Sequence, residues 1–356
     1  PLLIRHLLEE SLPEKAPSAM IASGGDRMAT VIIGGGAAGV AAAIAAGERG
    51  QRVLVLERNR KPLKKLGVTG NGRANLLNSG PPVYFGETDF ALEALRHIGY
   101  RQLVEFFHSL GVPLREETEG RVYPAALQAS VVTEALLLRT RQLGITWAMQ
   151  TQALSLTREA GHFLLRAAQQ PEEEPPRKGD RKRPEAKATP ARELIYRADR
   201  VIVTVGGAAM PSHGTDGTGY GLLTALGHRV TPLFPALCAL RTDKHRIAGM
   251  SGQRLRVGLK LLSSHGETLR ATEGEILFGD DAVSGIAAMQ LARFILPGAV
   301  LSLDLRPALG WDASQPINAE PGDLALRVRH LARDRAELPV RELFTGMFSA
   351  PAARLL

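Results

Sequence analysis

The sequence predicts an α/β fold built around a parallel sheet, and three observations carry the prediction. Residues 29–57 read in order as strand, glycine turn, helix, strand and acid. A second strand-like run, Asp199 to Val205, ends far downstream on Gly206 and Gly207. Between and beyond these lie runs in which apolar and polar residues alternate, the period of antiparallel strands.

The first element is the β-branched run Thr30 to Ile33, which reads as a buried strand. Gly34-x-Gly36-x-x-Gly39 follows at once. Gly34 allows a sharp turn, Gly36 lets a pyrophosphate approach the backbone, and Gly39 lets a helix pack closely on the sheet. An Ala-rich helix is expected from Ala37 to Arg49, with unpaired N–H groups at its start. The next strand, Arg52 to Leu56, ends on Glu57, at the spacing that holds a ribose 2′-hydroxyl. An acid there repels a 2′-phosphate, so FAD or NAD is expected rather than NADP.

Composition bounds the rest. The chain has 356 residues, enough for two or three domains. No apolar run reaches the ~20 residues of a membrane span. The single cysteine, Cys238, rules out an intramolecular disulfide and any CxxC pair, which fits a reducing cytoplasm. Net charge is +8, but the arginines are scattered and no basic stripe is interleaved with aromatics, so nucleic acid is not an expected partner. No Cys/His cluster has metal-ligand spacing, and no metal is expected.

Along the chain, residues 1–27 lack the logic of the first strand and are expected to form a poorly ordered extension. Arg58 to Leu66 is a basic loop, and Gly70 to Asn75 continues it with glycines and Arg73, a combination suited to a polyanion. Residues 100–110 and 130–143 show helical spacing. Ile145–Thr157, His162–Ala168 and Leu194–Arg197 read as a small antiparallel layer crossing over the parallel sheet. Gln170 to Arg192 has almost no apolar residues and is expected to be a disordered, dispensable loop. From Thr231 the pattern changes. Strands at Ala236–Leu240, Leu255–Leu261, Leu269–Ala271, Glu275–Phe278 and Val300–Leu305 suggest a small β-barrel, with a helical pattern past Asp323.

These motifs together resemble a family of bacterial flavoproteins, the NAD(P)/FAD-dependent oxidoreductases of the aminoacetone-oxidase-like and bile-acid-reductase-like type. The resemblance rests on GGGAAG at 34–39, KKLGVTGNGRANLLN at 64–78, GRVYP at 120–124 and VTVGG at 203–207, with TPLFPAL at 231–237 and GEILF at 274–278. There are departures. Ala74 stands where the family commonly has Cys, and Asn71 where it often has Gly. Residues 279–286 do not read THxGxSGP, and no glycine-rich closing segment lies between Pro339 and Leu356.

The resemblance implies a Rossmann-like FAD-binding domain of the glutathione-reductase type over residues 28–230. It implies an inserted domain, β-barrel plus the start of a helical part, over 231–356, and a chain truncated at its C-terminus. It implies FAD as cofactor, a small-molecule substrate, and NAD(P)H or dioxygen as second partner. The candidate cofactor-binding residues are Gly34, Gly36, Ala38, Gly39, Glu57, Arg58, Lys65, Gly70, Gly72, Arg73, Asn75, Ala153, Thr204, Gly206 and Gly207. No catalytic residue is assigned. Tyr123 and His213 are the polar groups nearest the motifs, and Cys238 is expected to be a buried, inert thiol. The implied function is hydride transfer between an organic substrate and flavin. A fumarate-reductase-like or desaturase-like flavoprotein, or a flavin-binding chain without activity, is the alternative.

Overall fold

The computed structural model describes residues 27–171, 190–309 and, toward the C-terminus, 329–330, 333–339, 342 and 346–353. The expectations for residues 1–26, for 172–189 within the polar loop, and for most of the helical stretch past Asp323 lie outside the described residues. The chain divides into two compact units, Pro1–Val230 and Thr231–Leu356.

The first unit holds strands β1 (Arg27–Ile33), β2 (Val53–Glu57), β3 (Leu77–Asn78), β4 (Leu114–Glu116), β5 (Arg121–Pro124), β6 (Thr146–Met149), β7 (Thr151–Glu159), β8 (His162–Gln169) and β9 (Arg192–Val203). Its helices are α1 (Ala37–Gly47), α2 (Thr88–His97), α3 (Tyr100–Ser109), α4 (Ala129–Gln142) and α5 (Tyr220–Thr224). Six strands form one sheet in the order β6-β2-β1-β9-β8-β7. β6, β2, β1 and β9 run parallel. β8 and β7 continue the sheet antiparallel. β3, β5 and β4 form a separate small antiparallel sheet.

Burial explains why β1 and β2 read as unbroken apolar runs. All five residues of β2 are buried. Leu54 and Leu56 join Val31, Ile33, Leu156, Leu165, Tyr196 and Ala198 in one core, so the antiparallel strands pack over the same side of β1 and β2. Val53, Val55 and Ile32 point the other way, against Ala43 of α1. Also on α1, Val40 and Ile44 meet Val132 and Leu136 of α4. A sheet covered on both faces has no solvent side to alternate with. Each fully buried Leu or Ile stabilises this arrangement by about 1.5–3 kcal/mol.

Several expected boundaries shift. The run from Ile145 to Thr157 is two strands, because Gln150 takes a left-handed conformation (φ 52°) that turns β7 away from β6. The two expected strands Leu194–Arg197 and Asp199–Val205 are one strand of twelve residues, β9. Its first half pairs with β8 and its second half with β1. In the second half Val201 is half-buried and Ile202 is 37% exposed.

The second unit contains β10 (Leu240–Arg241), β11 (Arg254–Leu262), β12 (Thr268–Phe278), β13 (Ala282–Ser284), the short helix α6 (Ile286–Leu291) and β14 (Val300–Asp304). The expected β-barrel is, among the described residues, an open five-stranded sheet in the order β10-β13-β12-β11-β14. Closing a sheet needs edge strands long enough to pair with each other, and β10 has only two residues. One face of this sheet carries the core, with Val257, Leu259, Leu261, Ile276 and Phe278 packed on Ala287, Ala288 and Leu291. Cys238 is half-buried rather than buried.

Candidate functional site

The site grows from the end of β1. Gly34, at φ 108°, accepts no side chain: a Cβ there would lie 2.6 Å from the Thr204 carbonyl oxygen. The Gly34 N–H donates to Leu56 O (2.8 Å) and the Thr204 N–H to Ile33 O (2.8 Å), so both neighbouring strands grip the turn. The Thr204 hydroxyl lies 3.0 Å from Ile33 O and 2.9 Å from Gly34 O, donating to these carbonyls. Gly39 fixes how closely α1 approaches, since a Cβ there would lie 1.9 Å from Gly34 O. Gly36 is different: nothing lies within 4 Å of its Cβ position. It caps α1 without a side-chain bond, and Ala37 and Ala38 behind it are exposed. The first-turn N–H groups of a helix have no partner within it, and these face open space suited to an anion.

Glu57 is buried, and its carboxylate is spent largely on backbone. Oε2 accepts from the Gly35 N–H (2.8 Å), and Oε1 from the Asn59 N–H (2.8 Å) and Asn59 Nδ2 (2.6 Å). The acid therefore clamps the glycine turn to the loop after β2. Oε1 already accepts two hydrogen bonds, but Oε2 accepts one and keeps a second lone pair, so a ribose hydroxyl remains a compatible partner there.

Around this turn runs a cleft of about 500 Å³. Of the sequence-derived candidates, Gly34, Gly36, Ala38, Glu57, Arg58, Lys65, Ala153, Thr204 and Gly206 line it. Gly39, Gly70, Gly72, Arg73, Asn75 and Gly207 do not. Gly70, Asn71, Gly72 and Ala74 all have positive φ, which makes residues 70–74 a tight left-handed turn. Asn tolerates that region better than most residues, so Asn71 fills a place suited to Gly. Arg73 stacks over the buried Tyr123 ring, its guanidinium carbon 4.6 Å from the centroid, and pairs with Glu117 at 3.2 Å. Tyr123 is thus a ledge under the 70–74 turn, its hydroxyl accepts from Arg73 Nη2 (3.4 Å), and it does not line the cleft.

His213, named from the sequence as a polar group near the motifs, faces the cleft. Sequence reasoning assigned no site role to Asn59, Lys64, Thr69, the stretch Thr151–Leu154 apart from Ala153, or Gly214, Thr215, Asp216 and Thr218, which face it too. The Gly/Thr/Asp-rich composition after Gly207 was the available signal for the last group. Among the described residues no group of three or more His, Cys, Asp or Glu could hold a metal ion. No helix among them is long and apolar enough to cross a membrane.

A parallel sheet, a glycine turn into a helix and an acid ending the second strand define a Rossmann-type dinucleotide-binding α/β fold. Residues 28–176 match the HI0933-like protein Rossmann domain. Over 274 residues it is 35% identical to the 3-dehydro-bile acid delta(4,6)-reductase of Clostridium scindens, covering 75% of this chain and 60% of the relative. It is 22% identical over 304 residues to the ribosomal RNA dihydrouridine synthase of Escherichia coli, covering 83% and 68%. Among solved structures it resembles an E. coli quinol fumarate reductase FrdA variant, with 15% identity, coverage of 68% and 44%, and a TM-score of 0.41. The chain thus spans about three fifths to two thirds of the length of these two curated relatives.

Proposed function

We propose that this chain is the FAD-binding part of a flavin-dependent oxidoreductase that passes hydride between a small organic substrate and the flavin. The carrying observation is the open backbone at Gly36, set at the start of α1 between two walls pinned by Glu57 and Thr204. A Cβ at Gly36 would occupy the space a pyrophosphate needs, and the residues present fit FAD. Gly34, Gly36 and Ala38 would lie along the phosphates, Glu57 at the ribose, and Thr204 and Gly206 along the opposite wall. When bound, flavin supplies the redox chemistry, and the protein orients it and limits water.

The relatives favour reduction of a carbon–carbon double bond. A delta(4,6)-reductase of a 3-dehydro bile acid acts on a double bond conjugated to a ketone, and dihydrouridine is uridine with a ring double bond reduced. The higher identity lies with the first, which favours a small enone over RNA. NAD(P)H as the electron source and a cytoplasmic setting complete the reading.

The test is direct. The purified chain is reconstituted with FAD, desalted, and its cofactor identified by chromatography after heat release. NAD(P)H is then added under anaerobic conditions, followed by a steroidal enone. Retained FAD, bleaching by NAD(P)H and reoxidation by the enone are expected. Failure to retain flavin overturns the reading, and reoxidation only by a uridine-containing RNA would move it to the second relative's chemistry.

A further inference from the structure

β2 and β9 lie on opposite sides of β1, so the loops leaving them flank the glycine turn from two directions. These loops meet. Arg58 Nη2 lies 3.1 Å from Asp216 Oδ1, and Arg58 Nη1 donates to the Thr218 hydroxyl at 3.2 Å. The same Asp216 oxygen accepts the Thr218 N–H (3.1 Å) and hydroxyl (2.7 Å). Lys64 Nζ reaches the Ser212 carbonyl at 3.4 Å. Arg58, Lys64, Asp216 and Thr218 all line the cleft.

We propose that the Arg58–Asp216 pair is a strap across the cleft mouth, and that Asp216 is a positioning residue governing how fast the cofactor enters and leaves. The inference rests on the FAD reading above. Three features separate a strap from a plain surface contact. Its two halves come from the two strands that flank β1, so closing it completes a ring around the turn. The strap loop is built to move, with Gly206, Gly214 and Gly217 at positive φ and Gly207 and Gly219 beside them. Gly214 presses on the Asn59 amide, where a Cβ would lie 2.6 Å from Nδ2, so the loops touch along their length and not only at the ion pair. The bond from the Gly35 N–H to Glu57 is buried and holds the turn. The Arg58–Asp216 side chains are only partly covered, at 27% and 35% exposure, so the pair can part in water at low cost. Of the other titratable groups on the cleft wall, Lys64 braces the same loop, Lys65 and His213 also line the cleft, and Glu57 is turned to the backbone.

The experiment measures FAD release from the reconstituted full chain, by the rise in flavin fluorescence after dilution, at low and at about 1 M NaCl. Wild type should release FAD faster in high salt. Asp216→Asn and Arg58→Gln should each release it about fivefold faster at low salt and lose most of the salt dependence. Arg58→Asp combined with Asp216→Arg should recover much of the wild-type rate, and Asp216→Glu should stay close to it. Amide exchange over residues 207–219 in the FAD-free protein should quicken in Asp216→Asn. Release rates in both single variants equal to wild type, or a charge swap as fast as the singles, would overturn the strap. If wild type retains no FAD, the cofactor reading fails, and the FAD-free exchange decides the strap alone: unchanged exchange in Asp216→Asn overturns it.

Discussion

The two large sheets of this protein solve burial in opposite ways. In the six-stranded sheet, β2 is buried at every position and both faces of β1 are covered. β1 and β2 have no free face, and the cleft forms at their ends. In the five-stranded sheet one face is wet. Arg254, Arg256 and Lys260 of β11 are exposed, while Val257, Leu259 and Leu261 are buried. That wet face spends its charges on itself, through diagonal pairs Arg254–Glu275 (2.7 Å) and Arg256–Glu273 (2.9 Å). Strands covered on both faces leave the cleft at their ends, and a sheet with one covered face pairs its charges along the other as a ladder.

The sharpest break of this contrast is Gly39→Val. A Cβ there would lie 1.9 Å from Gly34 O, which is backbone and cannot yield cheaply. The substitution should destabilise the first unit by about 3 kcal/mol, read as a fall in the denaturation midpoint. An unchanged midpoint would show that α1 sits farther from the turn than described.

Next comes Glu57→Ala. It strips acceptors from the Gly35 and Asn59 N–H groups, so it should cost about 1–3 kcal/mol even without cofactor. FAD affinity should fall by roughly one to two decades. Affinity loss with no loss of stability in the FAD-free protein would assign the acid to the ribose alone.

In the second unit the effects should be smaller. Arg306 grips Asp304 through Nε (2.9 Å) and Nη2 (2.6 Å), and these bonds hold the Asp304 carboxyl below the usual carboxylate range. A depressed pKa contributes stability above the ordinary Asp value of about 3.9 and loses it as pH falls below that. Asp304→Asn should therefore cost about 0.5–1 kcal/mol at pH 7. The gap to wild type should hold from neutrality down to about pH 4 and narrow only below that. A gap that stays constant with pH would mean packing, not charge, is lost.

Smallest of all is Arg254→Ala. Both partners of its pair are more than half exposed, so the expected change is at most about 0.5 kcal/mol. A larger loss would mean the ladder holds the sheet together and the contrast between the two sheets is wrong.

The site was legible where its logic is local. Gly34, Gly36, Gly39 and Glu57 fall within one strand–helix–strand unit, and spacing alone assigns each a place. Gly206 was legible because an apolar run that stops on glycine ends a strand at the sheet's edge of the cleft. The continuity of β9 was not. Arg197, Asp199 and Arg200 interrupt its apolar pattern, and only the ladder to β8 followed by the ladder to β1 makes it one strand. The contact between Arg58 and Thr218 spans 160 positions, and no periodicity encodes a pair that distant. Alternation likewise announced the strands of the second unit, but sheet closure depends on strand length and stagger, which alternation does not carry.

The bond from Thr204 to Gly34 O spans 170 positions. At ~5–20 residues per second of synthesis, the glycine turn leaves the ribosome on the order of ten to thirty seconds before the strand that completes it. Through that interval β1 can pair with β2, but the edge that β9 will take stays bare, an open template for wrong partners. Substitutions in β9 should therefore be felt first in the yield of newly made protein, where aggregation competes with closure, and only afterwards in the behaviour of the chains that mature.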